Sequence, residues 1–212
     1  MSRDPIQTIE GSALPLLFDN IDTDIIIPSR EMKSVGKTGL ADGLFAGWRY
    51  VAVGSREAKP DFLMNRPPFD KAVVLIAGEN VGCGSSREHA VWALHEYGFR
   101  AVVAPSFNPI FRNNCVRNGV VPVQLPADQA GALGEAIQAA DGAEPVIVDL
   151  DAMTVRSGAT GPFAFVLEDD ARLMLCNGWD AVDLSLQHKG AIDGWRDADR
   201  QRRPWIYLKA GR

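Results

Sequence analysis

The chain carries one short run in which residue types and spacing could do chemistry: Gly82-Cys83-Gly84-Ser85-Ser86-Arg87-Glu88-His89-Ala90. Gly82 and Gly84 allow a tight turn and close backbone approach to a ligand. The helix expected to follow would aim its unpaired N–H groups and the positive end of its dipole at the same place. Two hydroxyls and a guanidinium are added there by Ser85, Ser86 and Arg87. This combination suits a carboxylate-bearing ligand, with a serine placed where its own oxygen could be stabilised as an anion. The plainer reading is a glycine turn with a serine N-cap, since Ser85 and Glu88 have capping-box spacing. An arginine in a first helical turn opposes the dipole, so Arg87 favours an anionic partner. The run is not a P-loop, lacks the third glycine of the dinucleotide fingerprint, and is not a nucleophile elbow.

Other clusters are weaker. Asp22-Thr23-Asp24 reads as turn-forming acids before a strand, with too few oxygens for a cation site. Cys83, Cys115 and Cys176 form no C-x-x-C pair and match no cluster spacing. They read as small buried residues, although Cys83 beside a helix N-terminus is a candidate for a lowered pKa. His89 and His95 fall on different faces of one helix, and no histidine fits a metal motif.

The positioning elements are clearest in the middle of the chain. Ala72 to Ala77 is an apolar strand, and Ser86 to Tyr97 a helix stopped by Gly98. Ala101 to Ala104 is a strand, a helix runs from Ser106 to Asn118-Gly119, and Val120 to Val123 is a third strand. This alternation predicts right-handed crossovers and a parallel sheet. Before it, Ile6 to Glu10 and Ala13 to Phe18 read as strands, as does the β-branched run Ile25-Ile26-Ile27 before Pro28. After it come an Ala-rich helix from Ala127 to Ala140 and antiparallel strands at Val146 to Leu150, Thr154 to Arg156 and Phe163 to Leu167. Helices at Glu168 to Cys176 and Ala181 to Leu186 lead into a charged tail. The segment from Ser29 to Asp42 is glycine-bearing, polar and without periodicity, and is expected to be mobile until it meets a ligand or partner.

The 212 residues are 46% apolar and 23% charged with a net charge of −5, which fits a soluble globular chain and argues against nucleic acid or anionic membranes as partners. No apolar stretch spans a bilayer, the N-terminus has no apolar leader segment, and three unpaired cysteines point to a reducing cytoplasm.

Three blocks together resemble the aconitase superfamily. The serine loop is one. Asn20-Ile21-Asp22-Thr23-Asp24-Ile25-Ile26-Ile27-Pro28 is similar to that superfamily's N-I/V-D-T-D-x-I-I-P signature. Asn108 to Val123, with Asn113-Asn114-Cys115 and Asn118-Gly119, is the third. Lys37-Thr38-Gly39-Leu40, Trp48-Arg49-Tyr50 and Arg202-Arg203-Pro204-Trp205 narrow the resemblance to the bacterial small subunits of isopropylmalate dehydratases.

The resemblance implies a single α/β domain over 1–212. Its fold would be the swivelling three-layer β/β/α type, with a parallel central sheet, a smaller antiparallel sheet, a recognition loop near 29–42 and a helical C-terminal tail. It implies a large-subunit partner holding a [4Fe–4S] cluster, none being bound by this chain, and a hydro-lyase reaction on a small dicarboxylate in leucine biosynthesis. Ser85 takes the place of the general base, Arg87 and Ser86 those of carboxylate ligands, and Lys33 that of a second carboxylate ligand. Asp24 and Gly84 support the site. Glu79 and Val91 stand where prolines are expected, and Ser29-Arg30-Glu31-Met32-Lys33 departs from the usual aromatic-Leu-Lys/Arg form. A citraconate/methylmalate or homoaconitate hydro-lyase, and a non-catalytic dicarboxylate-binding module, therefore stand as alternatives.

Overall fold

The computed structural model describes residues 4–32 and 36–207. Two four-stranded sheets organise it. β1 (Thr8–Gly11), β6 (Val146–Asp149), β7 (Thr154–Ser157) and β8 (Thr160–Ala164) form an antiparallel sheet in the order β1-β6-β7-β8. β2 (Ala13–Leu16), β3 (Val74–Ala77), β4 (Ala101–Ala104) and β5 (Val121–Gln124) form a parallel sheet in chain order. The antiparallel sheet equals the parallel one in strand number rather than being smaller. Gly11-Ser12 is where the chain passes from one sheet to the other. Strands β2, β3 and β4 are buried along their whole length, as expected for parallel strands covered on both faces.

α3 (Glu88–Tyr97) joins β3 to β4, and α4 (Pro109–Arg117) joins β4 to β5; they pack on each other. α5 (Ala127–Ala139) packs on β2, β3 and β4 and also on β7 and β8, so it ties the two sheets together. Its Ala130, Leu133 and Ile137 are buried at helical spacing. α6 (Asp169–Asn177), α7 (Ala181–Leu186) and α8 (Lys189–Arg202) follow as a helical tail. In that tail Asp199 is buried and accepts from Arg203 and Tyr207.

The long passage from β2 to β3 holds two short helices, α1 (Thr23–Ile26) and α2 (Ala46–Arg49). α1 replaces the strand expected at Ile25-Ile26-Ile27. The Asp22 carboxylate accepts from the Ile25 N–H at 2.7 Å, and this N-cap starts a helical turn against β-branched propensity. Burial of Ile26 and Ile27 in the core makes the turn stable. No helix among the described residues is long and apolar enough to cross a membrane.

Candidate active site

The loops leaving the carboxyl ends of β2, β3 and β4 meet at one edge of the parallel sheet, the usual place for a ligand in an open α/β sheet. Main-chain hydrogen bonds stitch them together. Gly78 and Gly82 donate to Phe18 and Ile21, Asn20 to Glu79, and Thr23 to Cys83, while Val81 donates to Ser106 and receives from Asn108. The serine loop is thus held on both sides before any side chain is counted. Gly82 is forced: its φ is +73°, and a Cβ there would lie 2.0 Å from the Phe111 ring. Only glycine lets the loop press on α4 in this conformation.

The helix begins at Glu88, two residues later than the sequence predicts, and the Ser85–Glu88 capping box does not form. Arg87 is the cap residue and gives no side-chain cap bond. Ser85 is exposed, and its hydroxyl pairs with the Thr23 hydroxyl at 3.1 Å. Glu88 accepts instead from the Asn118 amide at 2.8 Å. Freed from capping, Ser85 Oγ is available for chemistry. Among the described residues no acceptor faces the main-chain N–H of Ser86, Arg87, Glu88 or His89, so four donors remain at the helix start for a ligand.

Ser86 is only 4% exposed, and its hydroxyl donates to the Gly82 carbonyl at 3.1 Å. Its φ is +48°, a left-handed conformation uncommon for a non-glycine residue. Gly84 is exposed with φ +77°. Arg87 forms a two-pronged pair with Asp24, its Nη1 and Nη2 lying 2.9 and 3.1 Å from the carboxylate oxygens. Both side chains are partly exposed, with relative areas of 30% and 53%. Such a pair contributes on the order of 0.2–1 kcal/mol, so an incoming carboxylate can take the Arg87 fork without large cost. Beside it an open cavity of about 430 Å³ is lined by Asp22, Asp24, Ile25, Pro28, Arg30 and Trp48. Lys33 lies outside the described residues.

None of the three cysteines is in a disulfide. Cys115 is fully buried, and burial pushes its thiol strongly up. Burial also raises Cys83, with the Asp22 carboxylate adding to the effect, so the lowered value expected beside a helix N-terminus is not found. Burial raises Cys176 as well. Among the described residues no three His, Cys, Asp or Glu side chains are grouped so as to hold a metal ion.

Sequence reasoning missed how the segment 29–42 is anchored. Glu31 is buried and pairs with Arg56 at 2.6 Å, fixing its start. At the other end the Glu96 carboxylate of α3 accepts three consecutive N–H bonds, from Gly39 at 2.6 Å, Leu40 at 2.5 Å and Ala41 at 2.9 Å. Partial burial acts to raise this carboxyl, but the three donors outweigh it and hold its pKa below the ordinary value. A lowered native pKa stabilises the clasp at pH above the ordinary carboxylate value, and that contribution is lost as pH falls through the native one. Glu96→Gln, lacking the charge and one acceptor oxygen, is therefore expected to speed amide exchange at 39–41 by about 10-fold at neutral pH, one charge-assisted bond being worth roughly 1.5 kcal/mol. Exchange at those amides in the unmodified chain should approach the variant's only under acid conditions. Equal protection in both proteins at pH 7 would refute the clasp.

Residues 4–128 match the aconitase C-terminal domain. The chain is 52% identical over 205 residues to the 3-isopropylmalate dehydratase small subunit of Cupriavidus necator, covering 97% of this chain and 99% of that protein. It is 47% identical over 190 residues to the small subunit of the same name from Rubrobacter xylanophilus, covering 90% and 92%. A crystal structure of 3-isopropylmalate dehydratase from Methanocaldococcus jannaschii superposes with a TM-score of 0.61 at 26% identity, over 89% of this chain and 99% of that one.

Proposed function

We propose, from the premise that this chain belongs to the aconitase C-terminal domain family and to its 3-isopropylmalate dehydratase small subunits, that it supplies one half of a hydro-lyase active site. The reaction interconverts 2-isopropylmalate and 3-isopropylmalate by dehydration and rehydration in leucine biosynthesis. The observation that carries this reading is the exposed, uncapped Ser85 hydroxyl beside a helix start with four unused N–H donors.

In this reading Ser85 Oγ removes the carbon-bound proton of the substrate. An alkoxide needs stabilising, and the N–H groups at 86 and 87 with the α3 dipole provide it; losing one such donor typically costs roughly 3–4 kcal/mol in the transition state. Thr23, hydrogen-bonded to Ser85, holds the hydroxyl in place. Arg87 clamps one substrate carboxylate through its planar fork. Ser86 contributes its main-chain N–H, while its hydroxyl keeps the loop in shape. Lys33 serves a second carboxylate. Asp24 holds the Arg87 fork until substrate arrives, and Gly84 leaves room at the loop's outer face.

Among the described residues no three His, Cys, Asp or Glu side chains are grouped to hold an iron–sulfur cluster, and we place the [4Fe–4S] cluster on a large-subunit partner. Residues 1–212 act as one swivelling domain, the recognition loop near 29–42 meeting substrate between its Glu31 and Glu96 anchors. A net charge of −5 argues against nucleic acid or anionic membranes as partners, and we place its action in the cytoplasm.

The test is reconstitution. The purified chain alone is expected to be inactive, and anaerobic mixing with its large subunit to give turnover on isopropylmalate above that on citraconate or homoaconitate. Activity of the chain without partner or iron would sink the reading. Preference for citraconate or homoaconitate would move it to a sister substrate.

A further inference from the structure

The serine loop is held from below by two asparagines that its own sequence does not announce. Asn114 of α4, 8% exposed, donates from Nδ2 to the Ser86 carbonyl at 3.2 Å. Asn118, one turn on and equally buried, donates to the Asn114 carbonyl at 2.9 Å and to Glu88 at 2.8 Å. Its Oδ1 accepts from Trp92 at 3.1 Å and from Lys37 at 3.2 Å. Every polar atom of the Asn118 amide is thereby engaged, which fixes α4 against the first turn of α3.

The consequence for the site follows from peptide geometry. The 86–87 peptide is trans, so its C=O and N–H point in opposite directions. Tying the Ser86 carbonyl inward to Asn114 turns the Arg87 N–H outward, away from α4, where it meets no acceptor. Ser86 adopts φ +48° to do this, a conformation an L-residue leaves readily when nothing holds it. We propose that Asn114 is a positioning residue for turnover: its hydrogen bond to the Ser86 carbonyl holds the 86–87 peptide in the orientation that presents the Arg87 N–H to the reacting oxygen. This rests on the functional reading of Ser85 given above and adds a residue to it.

The experiment replaces the donor while keeping or removing the volume. Asn114→Leu has nearly the same size and no donor; Asn114→Ala leaves room for a water that can donate to the Ser86 carbonyl. In holoenzyme reconstituted with the large subunit, Asn114→Leu is expected to lower kcat roughly 10²-fold, the usual effect of losing an oxyanion donor, with KM within about threefold. Asn114→Ala is expected to be no worse than leucine, whereas a packing role would make alanine the more damaging. The second readout is the Arg87 amide signal in ¹⁵N spectra of the isolated chain, expected to shift in Asn114→Ala and available even if the leucine variant does not fold. A kcat within threefold of the unmodified enzyme, or an unmoved Arg87 amide, overturns the proposal. Inactivity of the unmodified holoenzyme on isopropylmalate would instead count against the functional reading, and the amide signal would still decide the role of Asn114.

Discussion

Ser85→Ala in the reconstituted holoenzyme is expected to cut turnover by about 10³-fold or more, because general-base catalysis alone typically contributes 10²–10⁴. Assembly with the large subunit should be intact. The structure explains why the loss should be confined to chemistry. Ser85 is exposed, does not cap α3, and has the Thr23 hydroxyl as its hydrogen-bond partner. Removing its oxygen opens no core cavity and leaves no helix end unsatisfied, so unfolding temperature should move by no more than a few degrees. The loop keeps its shape from Gly82 packed on Phe111, the Ser86 hydroxyl bonded to Gly82 and Asn114 bonded to Ser86, and none of these interactions uses the Ser85 hydroxyl. Turnover within tenfold of the unmodified enzyme would rule out Ser85 as the base. A loss of turnover accompanied by failed assembly would make it an interface residue instead.

Much of the scaffold was legible in the sequence because its parallel strands are buried on both faces and read as unbroken apolar runs. Ala101 to Ala104 is met to the residue by β4, and Ala127 to Ala140 within one residue by α5. The failures have local causes. Ile25-Ile26-Ile27 carries strand propensity, but one carboxylate from Asp22 and a core that accepts both Ile26 and Ile27 turn it into helix. The antiparallel strand expected at Phe163 to Leu167 is found at Thr160–Ala164, where the turn at Gly158, with φ +52°, lets the chain reverse early.

The site was legible in part. Composition and spacing singled out Ser85 and Arg87, the family resemblance alone implied a supporting role for Asp24, and the fold brings all three to one sheet edge. Asn114, Asn118 and Glu96 were invisible as contributors, because each acts on a group 28 to 57 residues away that only the folded topology brings near. The capping box was misread for the same reason: Glu88 finds Asn118 from another helix sooner than its own N-terminus. A local motif competes with tertiary partners, and here the partners prevail.

Arg87→Lys is expected to raise KM for isopropylmalate by roughly 10–100-fold, since it forfeits one of two charge-assisted bonds worth about 1.5–3 kcal/mol each. kcat should change less, because the carboxylate is held in ground and transition state alike. A rival account makes Arg87 a structural tie to Asp24. The two accounts differ in what Asp24→Ala does. If the Asp24 pair holds the loop, removing either partner should harm the enzyme equally. If Asp24 only occupies the fork between substrates, Asp24→Ala removes a weak competitor, and KM should stay level or fall slightly. The pair's exposure favours the second outcome, because solvent screening leaves such a contact worth about a kcal/mol at most. On the proposed reading, a substrate carboxylate enclosed between two subunits would lose that screening and gain the full fork. Equal KM increases in Arg87→Lys and Asp24→Ala would therefore return Arg87 to a structural role, while a rise in the first alone makes it the substrate clamp.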